Sequence, residues 1–270
     1  MDDSDACLFL DTTIQIDRFL TEPEKSIRLK EILSQVKELC TSTYVKMEYR
    51  RSLIQDLVFL FNDALSDAEH FGEVFLRINR LHSLQQRRIS RMTASLIKFF
   101  FEKEDEISNS LGKEHLEILR HYLRPLIEHS MEFFDDDVNY MVNGTDCYNA
   151  KLSPSLQGEK FDNRTHRFKS SEIKCKIVEF FQQNKGEFQK IYKKLSLLQQ
   201  LDSEQIKMRE TLKKALQYPQ NMANCKNCWG CADSIIAVEC PNDSLLFTTN
   251  RKHFEPICQE INKKMADFKY

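Results

Sequence analysis

The chain has 270 residues, 41% of them hydrophobic and 30% charged, with a formal net charge of −2. That balance excludes a disordered chain and gives no global attraction for nucleic acid, so any basic surface has to be local. No apolar run approaches the roughly 18–20 residues of a spanning helix, which argues against a membrane partner.

The first residues, MDDSDACLFLD, are acidic before a short apolar run, the reverse of a signal peptide. Nine cysteines, an odd number, then predict a reduced, cytoplasmic protein whose thiols are core residues or metal ligands. The apolar residues 6–10 predict a buried strand ending at Asp11. Helical periodicity follows over residues 14–36, broken near Pro23, and a second strand is expected at 39–41. Ser42 is placed to cap a helix that carries Glu48.

From residue 53 to 217 the pattern changes to long helices, over 53–64, 73–101, 115–134 and 173–201. The polar stretch 143–171 contains Gly144, Pro154 and Gly158 and predicts a loop or linker. Past Pro219 the α/β character returns: a helix opens at Asp233, a strand runs over 244–248 and an amphipathic helix over 254–264.

Asp11 and Asn250 each follow an expected strand. In a parallel sheet all carboxyl ends lie along one edge, where ligands bind, and neighbouring strands there are about 5 Å apart. Glu48, on the helix after the second strand, and Asp233, in the first turn of its helix, can reach the same edge. Crowded carboxylates repel unless a cation compensates, and an oxygen-only donor set suits Mg²⁺ or Mn²⁺.

The stretches LFLDTTIQID, TSTYVKMEYRR and ADSIIAVECPNDSLLFTTNRKHF resemble the successive motifs of the PIN-domain nucleases. The resemblance covers about 80 residues at the two ends of the chain and leaves out the helical middle. It implies an α/β fold, a PIN-like parallel sheet flanked by helices with a large all-α insertion. The core would be built from residues 1–54 and 222–270, and the insertion from 55–221.

It further implies metal-dependent hydrolysis of nucleic-acid phosphodiesters, of RNA more than DNA. Asp11, Glu48 and Asp233 would be Mg²⁺ or Mn²⁺ ligands, Thr249 would orient a ligand or water, and Asn250 would fill the fourth position. Asn250 is neutral where many members carry an acid, and His253 stands where an Asp is frequent. The competing reading is therefore a catalytically decayed module that binds nucleic acid or a protein partner, a homodimer included. Asp243 precedes its strand and is left out of the site, and Asp17 is read as a local helix contact. LFLDTT also resembles the start of haloacid-dehalogenase-like phosphatases, but too little chain follows Thr248 and Thr249 for the remaining parts of that site.

Cys225-x-x-Cys228-x-x-Cys231 presents thiols to Zn²⁺, but a four-ligand structural site needs further ligands from Cys240, Cys175 or Cys147. The alternative, small apolar thiols packed in the core, is favoured. Trp229, the only tryptophan, is expected to anchor that junction. Arg77, Arg80, Arg87, Arg91 and Lys98 fall at intervals of three, four and seven, on one face of the expected long helix. With Arg50 and Arg51 beside Glu48, this stripe either attracts a phosphate backbone or is a solvated face partnered by the acids of 102–106 or 135–137. The paired and tripled phenylalanines are expected in a helical core, and no ligand-like histidine spacing or glycine-rich phosphate loop is present.

Overall fold

A computed structural model describes residues 7–101, 112–162 and 175–270. Ala6, the acids of 102–106, His166 and part of the expected 143–171 linker lie outside the described residues.

The chain opens with β1 (Cys7–Leu10), α1 (Thr12–Phe19), α2 (Pro23–Ser34), β2 (Glu38–Ser42) and α3 (Thr43–Tyr49). A π-helical turn (Arg50–Ile54), α4 (Gln55–Phe59) and a second π-helical turn (Leu60–Ala64) prolong α3. Next come α5 (Phe71–Asn79), α6 (Ser83–Phe101), α7 (Lys113–Asp135) and β3 (Tyr140–Val142). The short strands β4 (Ser155–Gln157) and β5 (Lys160–Asp162) precede α8 (Ile177–Gln183), α9 (Lys185–Leu197) and α10 (Ser203–Gln217). The chain ends with α11 (Cys225–Gly230), α12 (Ala232–Glu239), β6 (Ser244–Phe247), α13 (Arg251–Glu260) and β7 (Lys264–Met265).

Five strands form one sheet in the order β3-β2-β1-β6-β7, and every pairing in it is parallel. The fold is therefore α/β, a parallel sheet flanked by helices with a large helical insertion, as the sequence predicts. The two ends of the chain meet in the sheet, where Cys7–Leu10 of β1 pairs with Ser244–Phe247 of β6. The intervening segment is mostly helical and also supplies β3 at the sheet edge and the antiparallel β4–β5 pair.

A central parallel strand is covered on both faces, so it reads as a continuous apolar run rather than an alternation. Leu8, Phe9 and Leu10 are all fully buried. Phe9 faces the main core with Cys40, Val45, Ile236 and Leu246, while Leu8 and Leu10 face a smaller core with Ile14, Leu29, Leu39 and Phe247. Each such side chain contributes about 1.5–3 kcal/mol relative to exposure.

Local signals set the helix starts. Ser42 Oγ accepts from Val45 N at 3.1 Å, and Pro23 is the first residue of α2, where its missing N–H costs nothing. The long helix expected over 73–101 is two helices, broken at residues 80–82. Arg80 caps α5 and Ser83 starts α6, with Gln86 Nε2 donating to Asn79 Oδ1 at 2.8 Å across the break. Asn and Ser favour helix ends over interiors, and they stand on either side of this break.

No helix among the described residues is long and apolar enough to cross a membrane. From β1 the chain winds through β2 and β3 to one side, and through β6 and β7 to the other. The strand order thus reverses between β1 and β6, which opens a crevice at their carboxyl ends.

Candidate active site

Asp11 ends β1 and caps α1, and its N–H donates to Phe247 O at 3.0 Å, which fixes it against the end of β6. Its carboxylate is 2% exposed. Two hydroxyls donate to the same oxygen, Oδ2: Thr248 Oγ1 at 2.7 Å and Thr13 Oγ1 at 3.0 Å. Each hydroxyl in turn accepts from a loop amide, Asn250 N onto Thr248 at 3.0 Å and Thr249 N onto Thr13 at 3.1 Å. Burial still raises the Asp11 pKa to about 6, with the Thr248 hydrogen bond opposing and the charge of Asp233 adding to the rise.

Glu48 projects from α3 and accepts from Thr12 Oγ1 at 2.8 Å, with Arg51 Nη2 at 3.5 Å from its other oxygen. Burial raises its pKa to about 7; Arg51 opposes this, while Asp233 and Asp11 add to it. Asp233 lies in the first turn of α12, whose residues 234–239 are all buried. The positive end of a helix dipole favours a carboxylate there. Hydrogen bonds place the acids around the crevice between β1 and β6: Glu48 on Thr12, next to Asp11, and Asp233 on Asn250, whose N–H donates to the Thr248 hydroxyl that holds Asp11.

Asn250 Nδ2 donates to Asp233 Oδ2 at 3.5 Å, which links the loop after β6 to the start of α12. The hydroxyl that reaches Asp11 belongs to Thr248, one residue before the expected Thr249. Neighbouring side chains at a strand end point to opposite sides, and Thr249 is exposed, contributing its backbone N–H instead.

Two further residues reach the site through contacts that the sequence does not name. His253, with its side chain 8% exposed, places Nδ1 2.9 Å from Asp233 Oδ2 and Nε2 2.8 Å from Asp202 Oδ2. Both ring nitrogens face carboxylates, so both donate, and the hydrogen bond to Asp233 leads the causes that raise the pKa to about 9. Asp202 caps α10 through a reciprocal pair with Gln205. Burial opposes its ionisation, but the Gln205 N–H, Lys252 and His253 together hold its carboxyl below the ordinary range. The Asp-x-x-Gln cap is legible in the sequence, but its tie to Asp233 through His253 is not.

The basic residues separate into different environments. Arg50 is corrected from a candidate nucleic-acid contact: it is 2% exposed and its Nε donates to Leu152 O at 2.8 Å, so no polyanion reaches it. Arg51 lies over Trp229, 4.5 Å from the ring centroid, beside Glu48. Arg77 is tied to carbonyls at the end of the second π-helical turn, Asp63 O at 2.9 Å among them. Arg80 ends α5 and is exposed, whereas Arg87, Arg91 and Lys98 are exposed on α6, so the five residues do not share one helix. Arg87 and Arg91, with Lys25, Thr13 and Thr249, line a cleft of about 870 Å³. Asp17 pairs with Lys25 of α2 at 2.8 Å and accepts from Tyr270, 253 residues away, at 2.8 Å, so its contacts reach beyond its own helix.

The carboxylates at the crevice offer only oxygen donors, which suits Mg²⁺ or Mn²⁺, and burial raises the pKa values of Asp11 and Glu48. Among the described residues no three His, Cys, Asp or Glu side chains stand close enough to enclose an ion. The fit is to a cation taken by one or two carboxylates that keeps several waters. Cys225, Cys228 and Cys231 are free thiols. Burial holds Cys228 well above the ordinary thiol range and Cys231, wholly buried, at about 12.

The chain matches no protein-family model, no curated protein and no solved structure, so the reading of this crevice rests on its own geometry.

Proposed function

We propose that the protein is a PIN-type nuclease that hydrolyses nucleic-acid phosphodiesters with Mg²⁺ or Mn²⁺, RNA in preference to DNA. What supports this reading is the pair of neighbouring strand ends, Asp11 of β1 bonded to Thr248 after β6, at the point where the strand order reverses, with Glu48 tied to Thr12 and Asp233 to Asn250 beside them. A divalent cation bound there would polarise a phosphate and lower the pKa of its water. Asp11 and Glu48 hold it, Asp11 aimed by Thr248 and Thr13, and Glu48 by Thr12. Asp233 is oriented by His253 and Asn250. Arg87 and Arg91 draw the phosphate backbone toward an edge that would otherwise repel it.

A second reading, a binding module on a decayed nuclease core, is favoured by one feature. The fourth acidic position is filled by the amide of Asn250, and the His253 cation already neutralises part of Asp233. Purified protein incubated with RNA and DNA, in Mn²⁺ and then in EDTA, separates the two readings. Metal-dependent cleavage that disappears in Asp11→Asn and Asp233→Asn supports the nuclease. Binding without cleavage in any metal supports the module.

A further inference from the structure

A second cleft, of about 490 Å³, opens on the same acids and is lined by Glu48, Asp233, Arg51, Trp229, Lys207 and Lys226 among others. Glu204 lines this cleft and also the one that holds Arg87 and Arg91, so the two adjoin at Glu204. The volume is within the range of pockets that hold a small ligand, a nucleotide being of that size.

Its walls are fixed rather than adaptable. The Arg51 guanidinium lies over the indole of Trp229 and is tethered at its rim by Glu48, 3.5 Å away. Helix α11, which carries Trp229, is pinned by Tyr44 Oη donating to Cys228 O at 2.9 Å. Gly230 packs so closely on α10 that a Cβ there would stand 2.8 Å from Thr211 Oγ1. The ammonium groups of Lys207 and Lys226, both exposed, have no carboxylate partner among the described residues.

We propose that this cleft is a nucleotide subsite for single-stranded nucleic acid, in which one base stacks on the Arg51–Trp229 pair and Lys207 and Lys226 take the adjoining phosphates. Aromatic rings and guanidinium planes both accept an unpaired base on their faces, whereas a base inside a duplex offers no free face. Arg51 is already planar and partly desolvated on the indole, so little freedom is lost when a base is added. The acids between the two clefts then meet the backbone next to the stacked base. The inference rests on the nuclease reading for the position of the scissile phosphate, and it adds the residues that hold the neighbouring nucleotide: Arg51, Trp229, Lys207 and Lys226.

Trp229 is the only tryptophan, so fluorescence excited at wavelengths where tyrosine does not absorb reports on this cleft. The full chain in EDTA is titrated with a short oligouridylate, the matching oligothymidylate, and a blunt duplex. Both single strands are expected to quench Trp229 and the duplex to leave it unchanged. Arg51→Lys keeps the charge but loses the plane, and is expected to weaken binding on the order of tenfold, read by anisotropy of a labelled strand. Lys207→Gln with Lys226→Gln is expected to lower the log–log salt slope by about 0.7 for each phosphate no longer neutralised. Single strands that bind without quenching, a duplex that quenches equally, or an Arg51→Lys variant that folds and binds like wild type would each overturn the subsite. If wild type cleaves RNA in Mn²⁺ while Trp229 stays unquenched, the subsite is wrong and the nuclease reading stands. Quenching and Arg51 dependence without cleavage in any metal leave the subsite intact and remove the nuclease.

Discussion

Thr248 Oγ1 donates to Asp11 Oδ2 at 2.7 Å and joins residues 237 positions apart. The hydrogen bond exists because β1 and β6 are neighbours in register, Leu10 opposite Phe247, so the next residue of each strand faces the same crevice. The same hydroxyl accepts from Asn250 N at 3.0 Å, so Thr248 holds both the acid and the loop beside it.

Replacing Thr248 with Val removes a donor to a buried carboxylate and an acceptor for a loop amide. Stability is expected to fall by about 1–3 kcal/mol, and Mn²⁺-dependent cleavage with it, while Thr248→Ser stays near wild type on both counts. Urea unfolding and a cleavage assay measure the two effects. A valine variant as active as the serine variant would show that this hydroxyl does not aim Asp11.

The three acids are expected to act as one unit. Asp11→Asn, Glu48→Gln and Asp233→Asn should each reduce metal-dependent cleavage by about a hundredfold or more. Pairing two of them should add far less than the product of the single losses, because each alone already breaks the cluster. Full activity in any single variant removes that residue from the site.

Glu239 offers a pH test outside the crevice. Its side chain is buried at the end of α12, with Oε1 accepting from Thr145 N at 2.9 Å and Oε2 without a hydrogen-bond partner among the described residues. Burial, opposed only in part by Ser42 and Thr145, raises its pKa from 4.5 to about 7. A folded-state pKa above the unfolded one favours the fold while the group is protonated. That contribution is full below about pH 4.5 and is lost as the pH rises to about 7, a change on the order of 3 kcal/mol. Glu239→Gln keeps the neutral form at every pH. It is expected to be more stable than wild type at about pH 8 and no more stable at about pH 4.5, by urea unfolding at the two values. Equal stability differences at both pH values would show that Glu239 ionises freely in the fold.

Much of the crevice was legible because its signals are local. Asp11 follows an apolar run, Ser42 caps a helix, and Asp233 opens one; each is set by a few neighbouring residues. What was not legible depends on contacts between distant segments. His253 meets Asp202 across 51 residues, through a helix cap whose partner no periodicity names. Arg50 looks like any surface cation in sequence, yet the π-helical turn it starts carries it inward to Leu152 O. Thr248 and Thr249 are identical residues, and only the register of β6 against β1 decides which hydroxyl faces Asp11. The short β3 is likewise recognisable only from its pairing with β2.

The two arginine classes give opposite outcomes and provide the last test. Arg87 and Arg91 are exposed on α6 and line the cleft that contains Thr13 and Thr249. Reversing both to Glu should leave the melting temperature nearly unchanged, since solvated helix positions contribute little to stability. Affinity for RNA should fall, and the salt dependence should flatten by about 0.7 in log–log slope for each phosphate of a single strand that is no longer neutralised. Arg50→Gln is expected to do the reverse. It withdraws a buried guanidinium from Leu152 O, so stability should drop by about 1–3 kcal/mol, with the salt slope of whatever folds unchanged. Binding and thermal melts over a series of salt concentrations resolve both. If the Arg87 and Arg91 reversal binds like wild type at every salt concentration, α6 presents only a solvated face and the backbone enters by another route.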